Sequence, residues 1–296
     1  MTRARLAKRL AAAILGAALL GCATDAGLAA RNQLRDALPS PHAVPRPAGE
    51  AWLDAADDVR VEALHGAVLR GWFVHSRNGA AVMLVNGSGA DRTQLLPEAH
   101  ALSAAGYGVL VYDRPGNGES GGQKGRADER DFLRAAVDTL AAEPGVRPDG
   151  IGAYGFSSGS AFLSEAAARD PRIRAVVLAG CYADGDDYMR HYRGRGWIRG
   201  WSSLWAARWD GLVLPHPRAS VPDIAPRPLL LIAGDADTTV PSALSEELYA
   251  RASEPKTLWI VHGAEHGEYA RAAGPEYARR LVAFFDGALL GSGGSR

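Results

Sequence analysis

From Val59 to the C-terminus, short apolar runs alternate with segments of helical spacing, and this alternation restricts the fold more than any other feature of the chain. Strands are expected over Val59–Leu64 and Val68–His75, joined by a turn at His65-Gly66. Further strands are expected over Ala80–Asn86, Tyr107–Asp113, Ile151–Phe156, Ile173–Gly180, Leu229–Ala233 and Thr257–Val261. Helical spacing covers Gln94–Ala105, Asp128–Ala142, Ser158–Arg169, Ala243–Arg251 and Glu276–Leu290. Strands apolar on both faces, separated by amphipathic helices, predict an α/β protein with a mostly parallel central sheet and helices on both faces. Such sheets bind ligands beyond the C-terminal ends of their strands, so functional residues are sought just after strands.

The interval from Cys181 to Arg227 breaks the alternation and is too long for a simple connection, so an inserted cap is expected at about 181–227. Trp197, Trp201, Trp205 and Trp209 recur every fourth residue and share one helix face. Such a stripe is expected to pack the cap onto the body; alternatively, some of its rings line a substrate pocket.

The N-terminus reads as an address. Arg3, Arg5, Lys8 and Arg9 precede an uncharged apolar stretch, Leu10–Leu20, which is short of the roughly 20 residues that span a bilayer. A basic region followed by a short apolar one is the layout of a secretory signal peptide. The stretch ends Leu19-Leu20-Gly21-Cys22, which resembles a bacterial lipobox and implies cleavage before Cys22 and lipidation of that cysteine. A plain signal peptide cut near Ala29-Ala30, giving a secreted or periplasmic soluble protein, and an uncleaved anchor or a cytoplasmic protein are the alternatives. Export and anchoring in a bacterial envelope are thus expected, with residues 1–22 as the signal. The stretch 23–51, with Pro39, Pro41, Pro45 and Pro47, is expected to be a tether. Cys181 is left as a lone thiol, expected to be a small buried apolar residue. Lys plus Arg (33) balances Asp plus Glu (33), which leaves no electrostatic case for a nucleic-acid partner.

Gly155-Phe156-Ser157-Ser158-Gly159 matches G-x-S-x-G, in which a serine sits on a sharp strand-to-helix turn with its oxygen exposed. A second match, Gly118-Glu119-Ser120-Gly121-Gly122, lies within a glycine-rich loop where no helix begins. Ser157 ends a buried strand and opens a helix, and so is the expected nucleophile. Ser158 falls at the wrong position, and its N–H suits an oxyanion donor better. Two later loops follow strands: Gly234-Asp235-Ala236-Asp237-Thr238-Thr239-Val240-Pro241 and Gly263-Ala264-Glu265-His266-Gly267. They supply an acid and then a histidine, the order in which partners follow a serine on this kind of sheet.

On these motifs, the chain from about Val59 onward resembles the α/β-hydrolase superfamily, and most closely its esterase and serine-aminopeptidase-like branches. The implied domain is 52–290. The family's G-x-x-D-x-x-V-P motif lands on Asp237 and its G-x-x-H motif on His266. Asp235, and Asp184, Asp186 or Asp187 after an earlier strand, remain rival acids, and His262 a rival base. Asp113-Arg114-Pro115-Gly116-Asn117-Gly118-Glu119-Ser120 resembles the family's D-x-R-G-x-G-x-S loop, with the arginine displaced by one, and implies a mainly structural role. Asn86-Gly87-Ser88 stands where relatives begin with His-Gly. The resemblance implies a second oxyanion N–H there, of Ser88, which is otherwise a turn residue.

The implied activity is acyl transfer to water through an acyl-enzyme, with no metal or cofactor and a small-molecule acyl substrate. A carboxylic ester comes first, ahead of a peptide or amide and a thioester. A serine nucleophile sets aside dehalogenase and epoxide-hydrolase chemistry, which uses an aspartate there. An acyltransferase, a cofactor-free peroxidase and a non-catalytic lipid- or partner-binding surface lipoprotein are the rivals.

Overall fold

The computed structural model describes residues 42–63, 67–123, 129–190, 197–209 and 211–291. The signal stretch, Cys22, most of the expected tether and the turn at His65-Gly66 lie outside them. Among the described residues, no helix is long and apolar enough to cross a membrane.

Eight strands form one sheet: β1 (Asp57–Glu62), β2 (Val68–Val74), β3 (Ala81–Val85), β4 (Gly108–Tyr112), β5 (Ile151–Phe156), β6 (Ala175–Ala179), β7 (Leu229–Gly234) and β8 (Lys256–Val261). Their spatial order is β1-β2-β4-β3-β5-β6-β7-β8. β2 runs antiparallel to both neighbours, and the six strands from β4 to β8 pair in parallel. β3 to β7 are buried along their whole length, which is why they read as unbroken apolar runs rather than as alternation.

The main helices are α1 (Leu96–Ala104), α2 (Glu129–Ala142), α3 (Ser158–Arg169), α4 (Trp197–Trp209), α5 (Ser242–Arg251) and α6 (Pro275–Phe285). Val82 and Leu84 of β3 join a core with Ala99 and Leu102 of α1 and Tyr277, Leu281 and Phe285 of α6. The alternate β3 residues Ala81, Met83 and Val85 are buried on the opposite face, where α2 and α3 pack on each other. Both faces are thus covered, as expected of a parallel sheet.

Two expectations need correction. Residues 42–50 are not a loose tether: His42 N–H donates to Gly118 O (2.8 Å), Val44 N–H to the Glu119 carboxylate (3.2 Å), and Val44 is buried. Three rings of the tryptophan stripe are exposed. Trp201, Trp205 and Trp209 are 48%, 45% and 65% exposed, whereas Ser202, Ser203, Ala206 and Ala207 are the buried residues of α4. Helical spacing correctly grouped the rings, but it could not say which face is exposed. Asp186–Val213 belongs to a compact unit of its own, separate from the one that holds Leu38–Gly185 and Leu214–Arg296.

Candidate active site

Ser157 stands between β5 and α3 with φ 52°, the only positive φ of a non-glycine residue among those described. The turn can be this sharp because two glycines flank it. A Cβ on Gly155 would meet Ser160 Cα at 2.6 Å, and one on Gly159 would meet the carbonyl oxygens of Asn86 and Val85 at 2.3 and 2.5 Å. A strained serine at a strand-to-helix turn, held by close backbone packing, is the nucleophile-elbow arrangement. Its N–H donates to Ala179 O of β6 (2.8 Å).

The loops after β7 and β8 bring Asp237 and His266 to this turn. His266 Nε2 lies 2.9 Å from Ser157 Oγ, and His266 Nδ1 lies 2.7 Å from Asp237 Oδ2. Three side chains from separate strand ends therefore form one hydrogen-bonded chain. The Asp237 side chain is fully buried and that of His266 is 18% exposed, so the imidazole is the member nearer solvent. Burial by itself would raise the Asp237 carboxyl. The hydrogen bond from His266, the N–H of Val240, the charge of the ring and the hydroxyl of Tyr269 outweigh burial and hold the carboxyl below its ordinary value. Thr239 and Val240 N–H groups both donate to Asp237 Oδ1 at 2.8 Å, and Tyr269 donates to Oδ2 at 3.0 Å. Phe156 packs against the imidazole with ring centroids 4.8 Å apart.

Beside the elbow, the loop after β3 comes close enough that a Cβ on Gly87 would touch Ser157 Cβ at 3.2 Å. Gly87 N–H is occupied by Gln94 Oε1 (2.7 Å). Asn86 turns its amide inward and donates to Ala90 O (2.5 Å), which closes the loop without the histidine usual at that place. Ser88 lies beside Ser158, with Oγ–Oγ 2.7 Å.

A model of the family described as serine aminopeptidase, S33, matches residues 76–221, which include Ser157 but stop short of Asp237 and His266. The uncharacterized protein Rv2307c of Mycobacterium tuberculosis is 34% identical over 245 residues, spanning 80% of this chain and 82% of its own. The chain belongs to the α/β-hydrolase superfamily. YfhR of Escherichia coli K12, also uncharacterized, is 28% identical over 79% of this α/β-hydrolase and 82% of its own length. Among solved structures, the Pyrococcus furiosus esterase Pf2001 superposes with TM-score 0.70 at 22% identity, covering 85% of this chain and 98% of its own. The hypothetical protein PA2218 of Pseudomonas aeruginosa superposes with TM-score 0.67 at 22% identity, covering 85% and 100%. At that identity the two structures establish the fold.

The rival residues of this hydrolase are engaged elsewhere. Ser120 is buried; its Oγ accepts from Arg70 N–H (2.8 Å) and donates to Asp113 O (2.6 Å). Asp113 in turn accepts from the N–H groups of Arg92 and Glu119, so this loop is structural. Asp235 pairs with His262, whose side chain is 99% exposed. The rival acid and base of these two last loops thus have each other as partners. Asp184 binds His216 (2.7 Å) and Arg218 (3.0 Å), Asp186 binds Arg208 and Asp187 binds Arg190. Cys181 is buried, and burial pushes its thiol up to about 12, which makes it inert.

Four site residues were missed from the sequence: Tyr269, Gly180, Gln94 and Arg114. Tyr269 follows His266 by three residues at the start of a short helix, a spacing that carries no family signature on which to find it. Gly180 has φ +57°, and a Cβ there would lie 2.6 Å from the Tyr269 hydroxyl and 3.1 Å from His266 Cε1. Its signal was a glycine directly after a buried strand.

Proposed function

We propose that this α/β-hydrolase cleaves acyl bonds, carboxylic esters first, through a covalent acyl-enzyme on Ser157. The hydrogen-bonded chain Ser157–His266–Asp237 carries the reading. His266 Nε2 takes the Ser157 proton as Oγ attacks the carbonyl carbon, and the carbonyl oxygen becomes an oxyanion. Asp237 holds the ring with its proton on Nδ1 and stabilises the imidazolium. The N–H groups of Ser158 and Ser88 receive the oxyanion. The first N–H groups of a helix lack acceptors within it, and this favours Ser158 at the start of α3. The tetrahedral intermediate collapses as His266 returns the proton to the leaving oxygen. Water, deprotonated by the same ring, then frees the acid and restores Ser157.

An ester is placed ahead of an amide because an alkoxide is an easier leaving group; the matched family's description as aminopeptidase and the name esterase of the Pyrococcus neighbour keep both bonds in view. The chain is further proposed to be exported and anchored through Cys22. In that case Cys22→Ser releases it from the membrane fraction, and retention there would refute the anchor.

The deciding experiment is labelling with a fluorophosphonate probe, together with p-nitrophenyl acetate and an aminoacyl p-nitroanilide as substrates. Wild type and Ser120→Ala should label; Ser157→Ala should not, and should lose on the order of 10⁶ in kcat. An unlabelled, folded wild type would overturn the reading in favour of a binding protein.

A further inference from the structure

Arg114 departs from the family's loop pattern by following Asp113 directly. It does not point to solvent. Its side chain is buried, with Nε 3.0 Å and Nη2 2.5 Å from the Glu129 carboxylate at the start of α2. The guanidinium carbon lies 5.2 Å from the centre of the Phe162 ring. These contacts leave Nη1, and its two hydrogens go to the site: one to Asn86 O (3.0 Å) and one to Ser158 Oγ (2.8 Å).

A guanidinium only donates, so Ser158 Oγ is held as an acceptor on this side. The Ser88 hydroxyl donates to the same oxygen at 2.7 Å. One nitrogen of Arg114 therefore ties the root of the β3 loop to the first residue of α3, and Ser158 Oγ ties the tip of that loop to the same point. Ser88 and Ser158 are 70 residues apart in sequence, and they are the two residues whose N–H groups were assigned above to the oxyanion. Two such donors work only if their spacing is held within about 0.5 Å.

An ion pair whose task was only to anchor the β4 loop would not need Nη1, because Asp113 already anchors that loop. The field of Arg114 is largely cancelled by Glu129, so its effect must run through position rather than charge. We infer that Arg114 is a positioning residue for the oxyanion site, acting through Ser158 Oγ to fix the Ser158 and Ser88 amides. This inference rests on the serine-hydrolase reading of the same site.

The test is Ser158→Ala, which removes Oγ but keeps the N–H, with kcat expressed per active site titrated by the fluorophosphonate. A hydrogen bond to a charged partner is lost, so kcat should fall about 10- to 100-fold. KM should stay within about twofold. A transition-state-like boronic acid should weaken by the same factor as kcat/KM, and Ser158→Thr should restore most of the rate. In the Arg114→Met/Glu129→Gln background, which removes both charges of the pair, adding Ser158→Ala should cost little more. Unchanged kcat per titrated site in Ser158→Ala, or penalties that multiply in the triple variant, would overturn the inference. If the Arg114 variants fail to fold, the Ser158→Ala and Ser158→Thr pair alone decides it. A wild type that neither labels nor hydrolyses ester fails the proposed function and this inference with it. A labelled wild type with an indifferent Ser158→Ala fails this inference only.

Discussion

Gly180→Ala probes how tightly the end of β6 is fitted to the His266 site. Gly180 has φ +57°, a conformation that costs an alanine about 1–2 kcal/mol. The added Cβ would sit 2.6 Å from the Tyr269 hydroxyl, which must retreat by about 0.8 Å to reach ordinary contact. That hydroxyl is 3.0 Å from Asp237 Oδ2, so the retreat breaks the bond. Losing a hydrogen bond to a charged group costs about 1.5–3 kcal/mol. Together, about 2.5–5 kcal/mol of stability should go, which lowers Tm by about 5–20 °C for a protein of this size. The same Cβ presses on His266 Cε1 at 3.1 Å, so the ring shifts by a few tenths of an ångström. Since about 1 Å of misplacement costs about 10²-fold, kcat/KM should fall about tenfold. Calorimetry and p-nitrophenyl acetate turnover measure the two effects. Gly274→Ala is the control: it has nearly the same φ, +56°, with nothing within 4 Å of its Cβ. It should lose only the conformational part of the stability and no activity. Equal Tm and equal kcat/KM for Gly180→Ala and wild type would refute the packing argument.

Other substitutions test other parts of the molecule. Asp237→Asn should keep its carbonyl on the Thr239 and Val240 N–H groups and turn its NH₂ toward His266 Nδ1; this places the ring proton on Nε2, the wrong nitrogen, and kcat should fall about 10⁴-fold with Tm little changed. A kcat loss below about tenfold would show that Asp237 is not the orienting acid. Ser120→Ala should leave kcat intact but cost about 1–3 kcal/mol, because Arg70 N–H and Asp113 O lose their shared partner; unchanged stability in urea would contradict this. Glu98 is buried beneath Tyr277 and Tyr154, and burial raises its carboxyl despite their hydrogen bonds. The native state thus holds the Glu98 proton more tightly than the unfolded chain, so this contribution is complete below the unfolded value of about 4.3 and is lost as pH rises toward the folded value. Glu98→Gln should abolish that loss, so its Tm relative to wild type should climb with pH; a difference that is flat or falls with pH would refute the sign.

Much of the fold was legible in local pattern. The five strands β3 to β7 were readable because strands buried on both faces are apolar runs, and α3 begins at Ser158 and ends at Arg169 as expected because the elbow glycine and the helical spacing agree. Ser157 was separable from Ser120 by context alone, since only the former joins a buried strand to a helix. The stripe on α4 shows where pattern stops: periodicity groups Trp201, Trp205 and Trp209, but their exposure is set by what the helix packs against. The stretch 42–50 shows the same, since proline content suggests an open tether while Val44 is in fact buried.

The residues alone determined the element order, the strand-to-helix turn at Ser157 and the short menu of acids and histidines in the last two loops, because turn geometry and periodicity are written in neighbouring residues. Tertiary structure decided which acid meets which histidine, sending Asp235 to His262 and Asp237 to His266. It also brought Tyr269, Gly180 and Arg114 into the site. Ser157 and His266 are 109 residues apart, and side chains at such separations meet only where parallel strands end together at one edge of the sheet, a consequence of packing that no local stretch of chain contains.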